Sequence, residues 1–127
     1  MMHEVDPNGL SPHAKGAKLD KGKPRPNMVF SAFSRALLAV ARVGTFGADK
    51  YTDDGWLYVD KAETRYADAG FRHYLYRWAG EEVDPESEEL HLAHEVWNKL
   101  AELELCLRRL ENGATGTECS SKESEGL

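Results

Sequence analysis

His91, His94 and Asn98 recur at intervals of three and four, so on a helix turning about 100° per residue they fall in one row. Upstream lie Asp68, Arg72 and His73, separated from that row by the acidic connection Gly80-Glu81-Glu82-Val83-Asp84. If both segments are helices folded antiparallel about this connection, equal counts from its middle set Asp68 opposite Asn98, Arg72 opposite Glu95 and His73 opposite His94. A carboxylate, a guanidinium, imidazoles and an amide then surround one small volume, the kind of place where helical bundles hold a metal or a substrate. Hard divalent cations take carboxylate oxygen and bridge to phosphates, a task for Asp68 and Glu95. Imidazoles from His91 and His94, with Asn98 beside them, move the preference from Mg2+ toward Mn2+ or another transition metal. A plainer reading stands beside this one. The histidines then hydrogen-bond each other, a tyrosine or a carbonyl, and Asp68 with Arg72 is an ordinary surface ion pair.

These parts suit phosphate chemistry. Attack of water on a triphosphate needs its charge neutralised and the water oriented or deprotonated. Asp68 or Glu95 can serve metal and water, and Lys18, Lys23, Arg25, Lys50 and Arg72 are the cations available to the phosphates. Glycines interleaved with lysines from Gly16 to Arg25 suit a loop that lays backbone and ammonium groups on an anion. Residues 45–56 add Lys50, Tyr51 and Trp56. Their rings can hold a flat base or simply cap a helical core.

The elements that must position these groups are helices. Phe30, Phe33, Leu37, Val40 and Ala41 mark an amphipathic helix from Asn27 to about Val43, ended by Gly44 and Gly47. Asp60 and Glu63 fit a capping box that opens a second helix, closed at Gly80. Asp84-Pro85 starts a third, with Asp as N-cap and Pro at the first helical position, ending near Asn112-Gly113. Leu90, Ala93, Trp97, Leu100, Leu103, Leu107 and Leu110 give it an unbroken apolar stripe, expected to be the spine of the core. Only Trp56 to Val59 hints at a strand. Residues 1–15 read as a flexible leader, 16–112 as the folded domain and 113–127 as a disordered polar tail.

Composition bounds the partners. With 127 residues, 41% hydrophobic, the chain holds one domain with a modest core. A net charge of -6 argues against neutralising the phosphates of a nucleic-acid polymer and favours a small partner. Two cysteines, Cys106 and Cys119, exclude a disulfide scaffold. No signal peptide or membrane span is apparent, and the expected location is the cytoplasm.

Several linked strings resemble a known family: Gly16-Ala17-Lys18-Leu19-Asp20-Lys21-Gly22-Lys23-Pro24-Arg25, Thr45-Phe46-Gly47-Ala48-Asp49-Lys50-Tyr51 with Trp56, Tyr66-Ala67-Asp68-Ala69-Gly70-Phe71-Arg72-His73, Gly80-Glu81, Asp84-Pro85-Glu86-Ser87, and His91-Leu92-Ala93-His94 with Asn98. Together they look like the phage dATP/dGTP diphosphohydrolase N-terminal domain, similar to the MazG-like all-α nucleoside triphosphate pyrophosphohydrolases, including the phage MazZ enzymes. The resemblance implies an all-α, MazG-like bundle with long antiparallel core helices. It implies hydrolysis of dGTP, and of dATP, to the monophosphate and pyrophosphate, with Mg2+ or Mn2+. It also implies a homodimer or homotetramer in the infected host cell, serving phage 2-aminoadenine metabolism. MazG-like enzymes show Glu-x-x-Glu and Glu-x-x-Asp on successive helices; here the nearest equivalents are Asp68 with Arg72 and Glu95 with Asn98. Glu81, Asp84, Glu86 or Glu88 of the connection can make up the deficit, or they simply complement the dipole at the start of the third helix. The thinner set keeps a second reading open, a non-catalytic nucleotide-binding or helical interaction module.

Overall fold

Every regular element is a helix in the computed structural model, which describes residues 3–113. The tail from Ala114, read as disordered, and Cys119 within it lie outside the described residues. The chain divides between Phe33 and Ser34 into two units. In the first, residues 3–25 form successive turns and lead into α1 (Pro26–Ala32), with Pro26 at the first helical position where its missing N–H costs nothing. At Phe33 the backbone leaves helical geometry, with φ -115 and ψ 26.

The second unit holds α2 (Ser34–Lys50), α3 (Ala62–Trp78) and α4 (His91–Glu111), with a short 3-10 turn at Gly55–Tyr58. The single helix expected over 27–43 is therefore two, and the second runs on through both glycines. Gly44 does not stop α2; it lets α2 approach α4. A Cβ there would sit 3.2 Å from the Trp97 Nε1. The strand hint at 56–59 is also corrected, because this stretch is the 3-10 turn. Trp56 from that turn, Tyr66 from α3 and Trp97 from α4 meet edge-on or tilted, with centroids 5.6 to 6.5 Å apart. The Tyr66 hydroxyl donates to the Trp56 carbonyl at 2.7 Å, so the ring cluster also fixes where the 3-10 turn lies against α3.

The start of α3 differs from the capping expected. Asp60 makes no cap; Lys61 precedes α3 in the left-handed region at φ 52. Glu63 instead reaches across to Arg109 of α4 at 3.2 Å. At the far end Gly80, φ 108, closes α3 as expected. Glu81 N–H reaches the Tyr76 carbonyl at 3.0 Å and Gly80 N–H the Arg77 carbonyl at 3.1 Å, the two bonds of a Schellman closure.

The start of α4 is a correction with a clear cause. Asp84 does accept the Ser87 N–H at 2.8 Å, as a cap would. It also accepts the Ser87 hydroxyl at 2.7 Å, and Glu88 then turns left-handed at φ 64. Asp84 N–H donates to the Glu89 carbonyl at 2.8 Å, closing a loop. A Val83–Leu90 bridge seals its neck, and α4 begins only at His91.

The apolar stripe of α4 is divided. Ala93 and Ala101 are buried, Trp97 half so, but Leu100, Leu103, Leu107 and Leu110 are exposed. What faces α3 is the polar row His91, His94, Asn98, with Gly70 of α3 placed so that a Cβ would meet the Asn98 Cβ at 3.5 Å. Among the described residues no single helix is long and apolar enough to cross a membrane.

Candidate functional site

The loop between α3 and α4 and the facing halves of the two helices bring three histidines together. His73 of α3 stacks on His94 of α4 with centroids 4.2 Å apart and planes 9° apart, as the hairpin count requires. His73 Nδ1 lies 2.8 Å from His91 Nδ1. His91 is wholly buried, at 0% exposure, and its Nε2 lies 2.7 Å from Glu81 Oε1. His94 Nε2 lies 2.6 Å from Ser87 Oγ, whose hydroxyl serves Asp84.

These contacts fix who donates. Ser87 has one hydroxyl proton and gives it to Asp84 Oδ2, so His94 Nε2–H donates to Ser87 Oγ. The Glu89 N–H donates to the same oxygen at 3.2 Å. His91 donates from Nε2 to Glu81, which leaves its Nδ1 as an acceptor for His73 Nδ1–H. Two relays result, Glu81–His91–His73 and Asp84–Ser87–His94, and they touch where His73 stacks on His94.

The electrostatics favour the neutral form of His73 and of His94. Burial, and then the neighbouring His94 and His91, lower His73 from 6.5 to about 4. Burial lowers His94 as well, against the opposing pull of Asp84. Asp84 goes the other way: burial would raise it, but the hydroxyl and N–H of Ser87 outweigh burial and hold its carboxyl below the usual range. Neutral imidazole beside an ionised carboxylate is the protonation state that metal ligation needs.

One ligand atom from each of His73, Asp84 and His91 can be chosen so that all lie within 4.8 Å of one another. With the His73 proton moved from Nδ1 to Nε2, the two nitrogens 2.8 Å apart have nearly the separation of adjacent ligands on one ion, about 3 Å for metal–nitrogen bonds near 2.1 Å. Two imidazoles and one carboxylate fit a borderline divalent ion better than Mg2+.

The residues singled out from the sequence divide into several groups. His91 and His94 are in the cluster. Asn98 is buried beneath it, but its amide donates to the His94 carbonyl at 2.8 Å and so belongs to its own helix. Glu95 is corrected from its expected partner Arg72: its carboxylate takes a two-point contact with Arg77, at 2.7 and 3.1 Å. Arg77 stands one turn further along α3 than Arg72, closer to the loop, so the hairpin count was off by about a turn there. Asp68 is corrected too. It is exposed, about 200° around the helix from both Tyr66 and Gly70, which face α4. The structure brings neither Asp68 nor the exposed Arg72 to the imidazoles, and the two form no ion pair with each other.

Lys50 pairs with Glu86 of the loop and lies over the rings of Phe46 and Tyr51, at 5.9 and 5.2 Å. Tyr51 is exposed, while Trp56 is half-buried in the ring cluster. In the first unit Lys18, Lys23 and Arg25 are all exposed, and Lys23 pairs with Glu4 at 2.8 Å. Of the connection residues expected to make up the carboxylate deficit, Glu81 and Asp84 enter the relays, and Ser87, not singled out as a site residue, completes one of them. Their signal was the dense acidic string Gly80-Glu81 to Asp84-Pro85-Glu86-Ser87.

No curated protein and no solved structure matches the chain. The family profile described as dATP/dGTP diphosphohydrolase, N-terminal, matches residues 13–114, a span that contains the whole α3–α4 hairpin, both relays and the basic segment before α1. The chain belongs to the dATP/dGTP diphosphohydrolase N-terminal family and is a hydrolase acting on nucleotide phosphoanhydrides.

Proposed function

We propose that the chain uses a divalent metal to hydrolyse dGTP and dATP to the monophosphate and pyrophosphate. The observation that carries this is the convergence of His73, Asp84 and His91 within 4.8 Å in a member of that family. These three residues would hold the ion, with Mn2+ favoured over Mg2+ by the imidazoles. When bound, such an ion offsets phosphate charge and makes water a better nucleophile. The chain's own residues do the rest. Glu81 orients His91 through Nε2 and so keeps Nδ1 directed at His73. Asp84 and Ser87 hold His94 through Nε2, leaving its Nδ1 as a base for the water proton. Lys50, held against the loop by Glu86, supplies positive charge for the polyphosphate. Water adds at the α-phosphorus and pyrophosphate leaves, so water and dNTP balance dNMP and pyrophosphate.

The exposed leucines of α4 support a homodimer or homotetramer. The linked sequence strings support a place in phage purine deoxynucleotide metabolism, where dGMP enters a 2-aminoadenine pathway. A non-catalytic nucleotide-binding module is the second reading, favoured by one observation: Glu95 is engaged by Arg77 and Asp68 lies outside the cluster, which thins the carboxylate set.

The test is product analysis after incubation with each of the four dNTPs and Mg2+ or Mn2+. Purine dNMP with pyrophosphate is the expected result. Binding without turnover selects the second reading, and release of orthophosphate with dNDP would contradict attack at the α-phosphorus.

A further inference from the structure

The cation assigned to the polyphosphate is already engaged. Lys50 is the last residue of α2, where the helix dipole favours positive charge. Two rings fix its place. The ammonium lies 5.9 Å from the centre of Phe46, one turn back on α2, and 5.2 Å from that of Tyr51, the next residue, both within reach of a cation–π contact. These three residues belong to one short piece of chain, so the ammonium keeps its place whichever anion it meets. The anion it meets here is the carboxylate of Glu86, from the loop between α3 and α4. Glu86 first, and then Tyr51, hold Lys50 above its ordinary pKa and so keep it charged.

Glu86 is the one acidic partner in this loop that the loop itself does not need. Asp84 is committed to Ser87, Glu81 to His91, and Glu89 to Arg42 of α2 at 3.2 Å. The Val83–Leu90 bridge and the bond from the Asp84 N–H to the Glu89 carbonyl close the loop without Glu86. Among the described residues its carboxylate pairs with Lys50 alone. That pair is 41% and 58% exposed, so water screens it and it holds weakly. A triphosphate offers the same ammonium several negative charges where Glu86 offers one, and attracts it more strongly. Glu86 directly precedes Ser87, which holds His94, so an anion that took its place on Lys50 would stand beside the imidazole cluster.

We propose that Glu86 is a stand-in for phosphate: its carboxylate occupies Lys50 in the free protein and is exchanged for the polyphosphate of the nucleotide. This rests on the substrate reading above. Glu86 touches no substrate; it acts through Lys50, as a competitor for its charge.

A competitor and a structural tie predict opposite signs, because losing a tie loosens binding and losing a competitor tightens it. The measurement is the Kd of inorganic tripolyphosphate, by calorimetric titration of the full chain with Mn2+ present. Glu86→Gln keeps the shape and removes the charge, and Kd should fall at least about threefold, the scale set by an exposed pair. Lys50→Ala should raise Kd at least about threefold, and adding Glu86→Gln to it should then change Kd by less than about 1.5-fold. Glu88→Gln removes the same charge from an exposed side chain of the same loop that is not paired with Lys50, and should also shift Kd by less than about 1.5-fold. An unchanged or higher Kd in Glu86→Gln overturns the exchange, and so does an unchanged Kd in Lys50→Ala or a wild-type chain that binds no tripolyphosphate. Equal tightening by Glu88→Gln, or tightening that persists without Lys50, overturns it too. Tightening that is confined to Glu86→Gln and needs Lys50, in a chain that turns over no dNTP, upholds the exchange and overturns the proposed hydrolysis alone.

Discussion

At the scale of single residues, burial suppresses protonation of His73 and His94 within the cluster. His73→Ala removes a nitrogen 2.8 Å from its partner, and the expected outcome is a loss of Mn2+ affinity of at least about tenfold. Calorimetric titration of the metal measures this, and unchanged affinity would remove His73 from the ligand set. Acid should weaken the ion-free fold. As the pH falls through 6.5, imidazoles of the unfolded chain gain protons while folded His73 stays neutral to about 4. His94 is shifted in the same direction. The unfolded state then binds more protons, so the histidine contribution to stability declines between those two values and levels off below the lower one. The urea midpoint of the chelated protein should drop between pH about 7 and about 5. A flat or rising profile would contradict the assigned neutrality.

At the scale of elements, two helical glycines should respond oppositely to alanine. Gly70 lies inside α3, and a Cβ would find Asn98 at an ordinary 3.5 Å. Gly70→Ala should therefore gain about 0.5–1 kcal/mol from helix propensity. Gly44 faces Trp97 at 3.2 Å, so there the same gain is opposed by crowding and Gly44→Ala should gain less or lose stability. Thermal melts of both variants decide this, and the reverse order would contradict the packing of α2 on α4. The same two glycines show what could be read beforehand. Periodicity and a residue count located three helical regions, the hairpin of the last two and the facing of His73 and His94, because a 3.6-residue repeat is visible along one chain. It misjudged Gly44 as a stop because close approach to Trp97 depends on a distant residue. It started α4 six residues early because Asp84-Pro85-Glu86-Ser87 has the signature of a cap, and only the Ser87 hydroxyl and the turn at Glu88 convert it into a loop. Asp68 was assigned inward because a residue count sets register but not which side of α3 meets α4.

At the scale of the whole molecule, α4 presents its polar row inward and its leucines outward, the reverse of an isolated globule. Leu103 and Leu107 are 55% and 52% exposed. Replacing both with glutamate should convert an oligomer into a monomer, measured by light scattering on a sizing column. A wild-type protein already monomeric at micromolar concentration would contradict the expected assembly. If the leucine seam closes only against another copy, folding and association become one mass-action equilibrium. Melting temperature would then climb with the amount of protein, and specific activity would fade on dilution. Whenever few copies exist, the catalyst would be at its least robust.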